Sequence, residues 1–293
     1  MFIRYGKEKT RMPSNIKNYK IFVFASLLAS VCMAVARLYV IINNIEMQSL
    51  ASSDGLYYLE GTNAPLVFAV FCIGFGALFF AGSLIFAGKL KNDPEKDSAL
   101  TIFASALLGM MLLTQVIYYV YGLVFEKKTI NLWFGAVLVL SVISGLYFLS
   151  ISSRRAKARL VRVIPVLSVA PVLLTAVRLL NDFMERSLTV TASSYVYHLL
   201  GLVFLMLFWC CEGRNTVGCR RKKLYVFLGL ITIMLLLVYC VPALYLSLFW
   251  PIKFTNVTIF CMADIVAVLY IACRLVMLPA SEAEPEPVPA EEE

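Results

Sequence analysis

The chain has 293 residues, of which 61% are hydrophobic and only 15% charged, with a mean hydropathy of +0.83. Soluble domains are nearer half apolar with about a quarter of their residues charged, so this composition excludes an ordinary water-soluble globule and makes lipid the solvent. The net charge of +8 does not indicate a nucleic-acid partner, because the basic residues flank apolar runs in short segments and do not form a soluble basic face.

A membrane-spanning helix needs roughly 20 predominantly apolar residues. Such stretches recur at 20–43, 65–88, 98–125, 131–152, 161–183, 194–212, 223–249 and 255–278, which predicts an all-α, polytopic bundle of eight spans. Residues 1–19 form a basic leader that runs straight into the first span. That span is too long for a signal-peptide core and has no small-residue cleavage site after it, so it reads as an anchor.

The first span carries Arg37 inside "MAVARLYVIINN" (33–44). An arginine at a helix centre costs about 2.5–3.5 kcal/mol on insertion scales, less near the interface. Arg37 lies about 9 Å from the helix end marked by Asn43. It can therefore snorkel to headgroups or reach a polar partner inside the bundle, and Asp264 is the expected partner. The loop 44–64 that follows places Tyr57 and Tyr58 where aromatic rings favour the membrane interface. In the second span, the small residues of "CIGFGALFFAGSLIFAG" (72–88) favour close helix packing.

The fifth span repeats the arginine motif as "LLTAVRLLNDF" (173–183). Asp182 lies one turn beyond Arg178 on the same face and is its expected local partner, with Glu185 following. Pro165 and Pro171 are expected to kink this span. The only histidine, His198, sits one turn into the sixth span. Pro242 interrupts the seventh, which is read as one kinked helix because neighbouring groups can satisfy the freed carbonyl. In the eighth, Asp264 lies about 13 Å deep. A short carboxylate cannot snorkel, so it must pair, be protonated or line a wet cavity. The segment 279–293, "PASEAEPEPVPAEEE", is acidic and proline-rich. It is expected to be disordered, and is a candidate contact for a protein partner.

The chain also reads as a tandem duplication of two parallel four-helix repeats, 20–152 and 161–278. At an offset of 141, Ala29, Val31, Arg37 and Leu38 fall on Ala170, Val172, Arg178 and Leu179, and the "ASS" of 51–53 falls on that of 192–194. Four spans per half give both halves one orientation, related by an axis along the membrane normal. Twenty of the basic residues fall on the side of the termini and four on the other. The positive-inside rule then places both termini in the cytoplasm, across a plasma (cytoplasmic) membrane.

Arg37, Arg178, Asp182, His198 and Asp264 all fall in the outer third of the predicted bundle, which makes them candidates for ligand binding or charge pairing. Cys32, Cys72, Cys210, Cys211, Cys219, Cys240, Cys261 and Cys273 include no CxxC pair, and they read as small core residues. No metal-binding, P-loop or serine-nucleophile signature is present, so no cofactor and no metal are expected. Three function classes remain. The first is transport of a small anionic or proton-coupled solute. The second is a membrane sensor or assembly subunit without transport. The third is a lipid-headgroup enzyme using Asp264 and His198. Membrane lipids are partners in each. A charge-lined cavity spanning both halves would point to transport, and a filled bundle with a salt-bridged Asp264 to the sensor or scaffold.

Overall fold

The computed structural model describes residues 14–44, 63–89, 98–125, 132–153, 163–186, 193–217, 221–249 and 256–278. The readings made of residues 1–13, of the loop with Tyr57 and Tyr58, and of the tail from 279 lie outside the described residues. Every regular element among the described residues is helical: α1 (Ser14–Asn44), α2 (Ala64–Phe86), α3 (Ala99–Phe125), α4 (Leu132–Ser152), α5 (Ile164–Leu167), α6 (Val169–Arg186), α7 (Ser193–Thr216), α8 (Lys222–Phe249) and α9 (Asn256–Met277). With α5 and α6 taken as one span, eight helices are long and apolar enough to cross a membrane. The chain is an all-α polytopic bundle.

Helix α1 departs from the expected bounds, and the fifth span shows the interruption expected of its prolines, each for a physical reason. Helix α1 begins at Ser14 because Ile16 and Tyr19 extend its buried face, and the Tyr19 hydroxyl donates to the Leu275 carbonyl of α9 at 2.9 Å. The fifth span breaks at Ser168. Pro171 has no N–H to offer the Leu167 carbonyl one turn back, and in the same turn the Ser168 hydroxyl donates to the Pro165 carbonyl at 2.6 Å. The seventh span is, as expected, one helix running through Pro242.

Six helices close a ring in the order α3, α4, α6, α7, α8, α9, with α9 returning to α3. Helix α8 is its most enclosed member: 67% of its most apolar window is buried, against 17% for α2. Helices α1 and α2 pack on each other and on the outer side of α8. The closest crossing joins α3 to α4, where a methyl on Gly109 would stand 2.9 Å from the Gly145 carbonyl oxygen. Small residues at a crossing let backbones approach and gain dispersion contacts that lipid would not supply. On α2 the small residues divide their roles. Gly82 accommodates the Phe22 ring of α1, whereas Gly74 faces open space. In each half the first helix pairs with the second and the third with the fourth, but α8 also touches α1, α2 and α7, while α3 turns to α9. Below, "proximal" denotes the end of the bundle where α1 begins, and "distal" the end where it finishes.

Candidate functional site

Near the distal end, α6 presents Arg178 to Asp264 of α9. The guanidinium donates from Nη1 to Oδ1 at 2.7 Å and from Nη2 to Oδ2 at 2.8 Å. This fork-on-fork arrangement is the strongest form of charge-assisted hydrogen bonding. It is buried, with 7% of the Arg178 side chain and 1% of that of Asp264 exposed. Phe260, one turn before Asp264 on α9, places its ring 4.5 Å from the guanidinium carbon. A π face there lowers the cost of holding the cation away from water.

His198 of α7 lies between the two carboxylates of the cluster. Its Nδ1 is 3.2 Å from Asp182 Oδ2 and its Nε2 is 3.8 Å from Asp264 Oδ2. The imidazole stacks on Tyr239 of α8, with ring centroids 4.1 Å apart and planes inclined by 16°. Helices α6, α7, α8 and α9 thus each contribute one wall. The two ring nitrogens face different acids, so the histidine tautomer depends on which carboxylate accepts its proton. Chemically the cluster sets two carboxylates against one guanidinium and one imidazole.

The structure corrects two expected pairings. Asp264 is held by Arg178 and His198, and not by Arg37. Asp182 turns to His198. The reason is lateral position: α1 packs on α2 and on the outer side of α8, so α8 stands between Arg37 and the centre of the ring. Arg37 is nonetheless fully inside the protein, 1% exposed. Its guanidinium carbon lies 5.1 Å from the Phe68 ring of α2 and 4.8 Å from the Tyr197 ring of α7. Neither arginine snorkels. Successive residues of a helix point about 100° apart, so the neighbours Tyr197 and His198 serve Arg37 on one side of α7 and the acid cluster on the other.

A second buried network was not foreseen from the sequence. Glu212 of α7 accepts from the Tyr225 hydroxyl of α8 at 2.7 Å, from the Tyr270 hydroxyl of α9 at 2.8 Å and from the Arg274 guanidinium of α9. Neither Glu212 nor Arg274 is singled out in the sequence analysis. The legible signal was an acid within an apolar segment, "FWCCEGRN", opposite a span ending in an arginine. Helix α9 is therefore tied at its distal end to α6 through Arg178 and Asp264, and at its proximal end to α7 through Glu212 and Arg274.

The space beside the distal cluster is small. Beside the Arg178–Asp264 pair lies a cavity of about 20 Å³, lined by Thr175, Arg178, Trp209, Asp264 and apolar residues of the surrounding helices. A single water needs about 10–15 Å³. Within the ring, the Gln115 amide of α3 is buried beside Tyr119, and the Ser141 and Ser144 hydroxyls of α4 are buried without a hydrogen-bond partner among the described residues. No group of three or more His, Cys, Asp or Glu side chains among the described residues is placed to hold a metal ion. Asp264 lines the cavity of about 20 Å³ and His198 does not, and its volume is too small for a lipid headgroup. A larger concavity lies elsewhere: an apolar groove of about 770 Å³ between α2, α7 and α8. No family model, no curated protein and no solved structure matches this chain.

Proposed function

We propose that the protein is a membrane-embedded sensor or assembly subunit that binds at its lipid-facing side and does not carry solute through its centre. The observation behind this reading is the state of Asp264: both carboxylate oxygens are engaged by one guanidinium, with room beside them for about one water. Solute sites are usually clefts of about 300–1,000 Å³, a range that includes the groove and excludes the ring interior. On this reading both termini face the cytoplasm, the acidic tail offers a protein contact, and the buried Arg37 and Arg178 mark an ancestral duplication. The ion pairs then hold α6 and α7 in register with α9.

Transport remains the second reading, and one observation favours it. Two buried ion pairs hold α9 at opposite ends, Arg178–Asp264 to α6 and Glu212–Arg274 to α7, with the buried polar side chains of Gln115, Ser141 and Ser144 between those ends. A path sealed at both ends has that arrangement. Reconstitution into liposomes containing a pH-reporting dye separates the two readings. The expected result is no proton or anion flux above that of protein-free vesicles. A flux that Asp264→Asn abolishes would overturn the sensor reading and establish transport.

A further inference from the structure

His198, the sole histidine of the chain, is 4% exposed and has a carboxylate beyond each ring nitrogen. Asp182 Oδ2 stands 3.2 Å from Nδ1 and Asp264 Oδ2 3.8 Å from Nε2, yet neither nitrogen completes a hydrogen bond among the described residues. A neutral imidazole carries one N–H and can serve only one of the two acids, and its other nitrogen then turns a lone pair toward a carboxylate. The imidazolium, with two N–H groups, can donate to both. The Tyr239 ring stacked on the imidazole supplies a π face that also favours the charged form. Arg178 opposes it, but that charge is answered by the fork on Asp264.

The other titratable groups around His198 do not change charge near neutral pH. On α6 they are Arg178 and Asp182, and on α9 Asp264, with Cys261 beside Cys240 of α8. On α8 Tyr239 covers the ring, and Tyr119 of α3 lies within reach of Arg178 and Asp182. Tyr197, the neighbour in sequence, faces Arg37 and Phe68 instead. Aspartic acid ordinarily titrates near about pH 4, cysteine and tyrosine above about pH 8. Histidine is the side chain whose charge ordinarily changes between about pH 5 and 8.

We propose that His198 is a proton-operated latch between α6 and α9, and that the proton is the stimulus this protein senses. The inference deepens the sensor reading above and rests on it. Protonated, His198 donates from Nδ1 to Asp182 and from Nε2 to Asp264, and α7 is held to both neighbours. On losing a proton it keeps the one on Nδ1, because Asp182 is the nearer acid. Nε2 then presents a lone pair to Asp264 Oδ2, an oxygen that Arg178 already holds at 2.8 Å. Helix α7 stays with α6 and is repelled from α9. The proton has a short way in. Asp182 lies one turn before the end of α6 at Arg186, with 16% of its side chain exposed, and His198 is one turn into α7. On the topology proposed above, that end faces outward, so the stimulus is external acid.

With a single histidine in the chain, nitrogen NMR of the full protein, labelled at histidine and held in phosphatidylcholine nanodiscs, observes His198 without overlap. We expect both ring nitrogens protonated at about pH 5 and only Nδ1 at about pH 8. Asp182→Asn should weaken proton binding by about tenfold, the low end of what one opposite charge at this range contributes. Amide hydrogen exchange over 196–203, corrected for its intrinsic pH dependence, should be severalfold slower in the acid form. His198→Gln, which keeps a polar side chain but does not titrate, should abolish that difference. An imidazole that stays in one protonation state from about pH 5 to 8 would overturn the proton site. Equal proton binding in wild type and Asp182→Asn would overturn the bridge to α6, and a neutral form protonated on Nε2 would overturn the release from α9. Exchange that ignores the titration, or a difference that survives in His198→Gln, would overturn the latch. A proton flux in the liposome experiment would remove the sensor reading while leaving the titration and the exchange difference in place, so the two failures are distinguishable.

Discussion

At the scale of single residues, the placement of each charge follows from the cost of leaving it unpaired in hydrocarbon. Breaking a buried pair from one side strands the other charge, at about 3–5 kcal/mol. Asp264→Asn and Arg178→Leu should each destabilise the protein by about that amount, and the double variant by clearly less than their sum. Pairing Asp264→Asn with Arg37→Leu should instead give effects that add to within about 0.5 kcal/mol, because the two side chains are not in contact. Reversible unfolding in mixed micelles measures both cycles. A coupling between Arg37 and Asp264 as large as that between Arg178 and Asp264 would contradict the arrangement described here. The identity of these charged residues was legible from depth alone: Arg37, Arg178, His198 and Asp264 are all buried. Their partners were not, since two arginines at equal depth are equivalent to a sequence reader.

Among the elements, tight crossings and open faces make opposite demands on small residues. A side chain at Gly109 must push on the Gly145 carbonyl and the Leu149 side chain, the nearer of which is 2.8 Å from the added carbon. Overpacking of that kind costs about 1–3 kcal/mol. Gly109→Leu should therefore lower stability by that amount, while Gly74→Ala, with nothing within 4 Å, should be neutral or gain up to about 1 kcal/mol from helix propensity. Thermal unfolding of the two variants side by side gives the comparison, and equal losses would mean that α3 and α4 do not cross at these glycines. Sequence identified the run 72–88 of α2 as a packing segment, and only Gly82 of its early glycines serves that purpose, with Gly76 lining the groove. The α3–α4 crossing went unread because its two glycines lie 36 residues apart in separate spans.

For the whole molecule, an even number of spans brings the chain back to the face where it started. Cysteines introduced at Asn63 and at Ser153, both exposed at helix ends, should react with a membrane-impermeant maleimide from opposite sides. Asn63→Cys should label from outside intact cells and Ser153→Cys only after permeabilisation, as the positive-inside rule requires. Labelling of both from one side would remove a span from the count, and the reverse pattern would invert the topology.

The sequence by itself determined the spans, their lengths to within a few residues in most cases, and the burial of Arg37, Arg178, His198 and Asp264. Those properties depend on local hydropathy and on the rise of 1.5 Å per residue. Tertiary structure alone decided that α8 would be central, that Arg178 rather than Arg37 would hold Asp264, that Glu212 would join Arg274, and that α2 would stand off α7 to leave a groove. In lipid a helix is apolar on every side, so no amphipathic stripe announces which face meets a neighbour. Side-by-side order comes from the fit of small and large side chains and from the few polar groups that must meet, and these are properties of pairs of helices, not of any one segment.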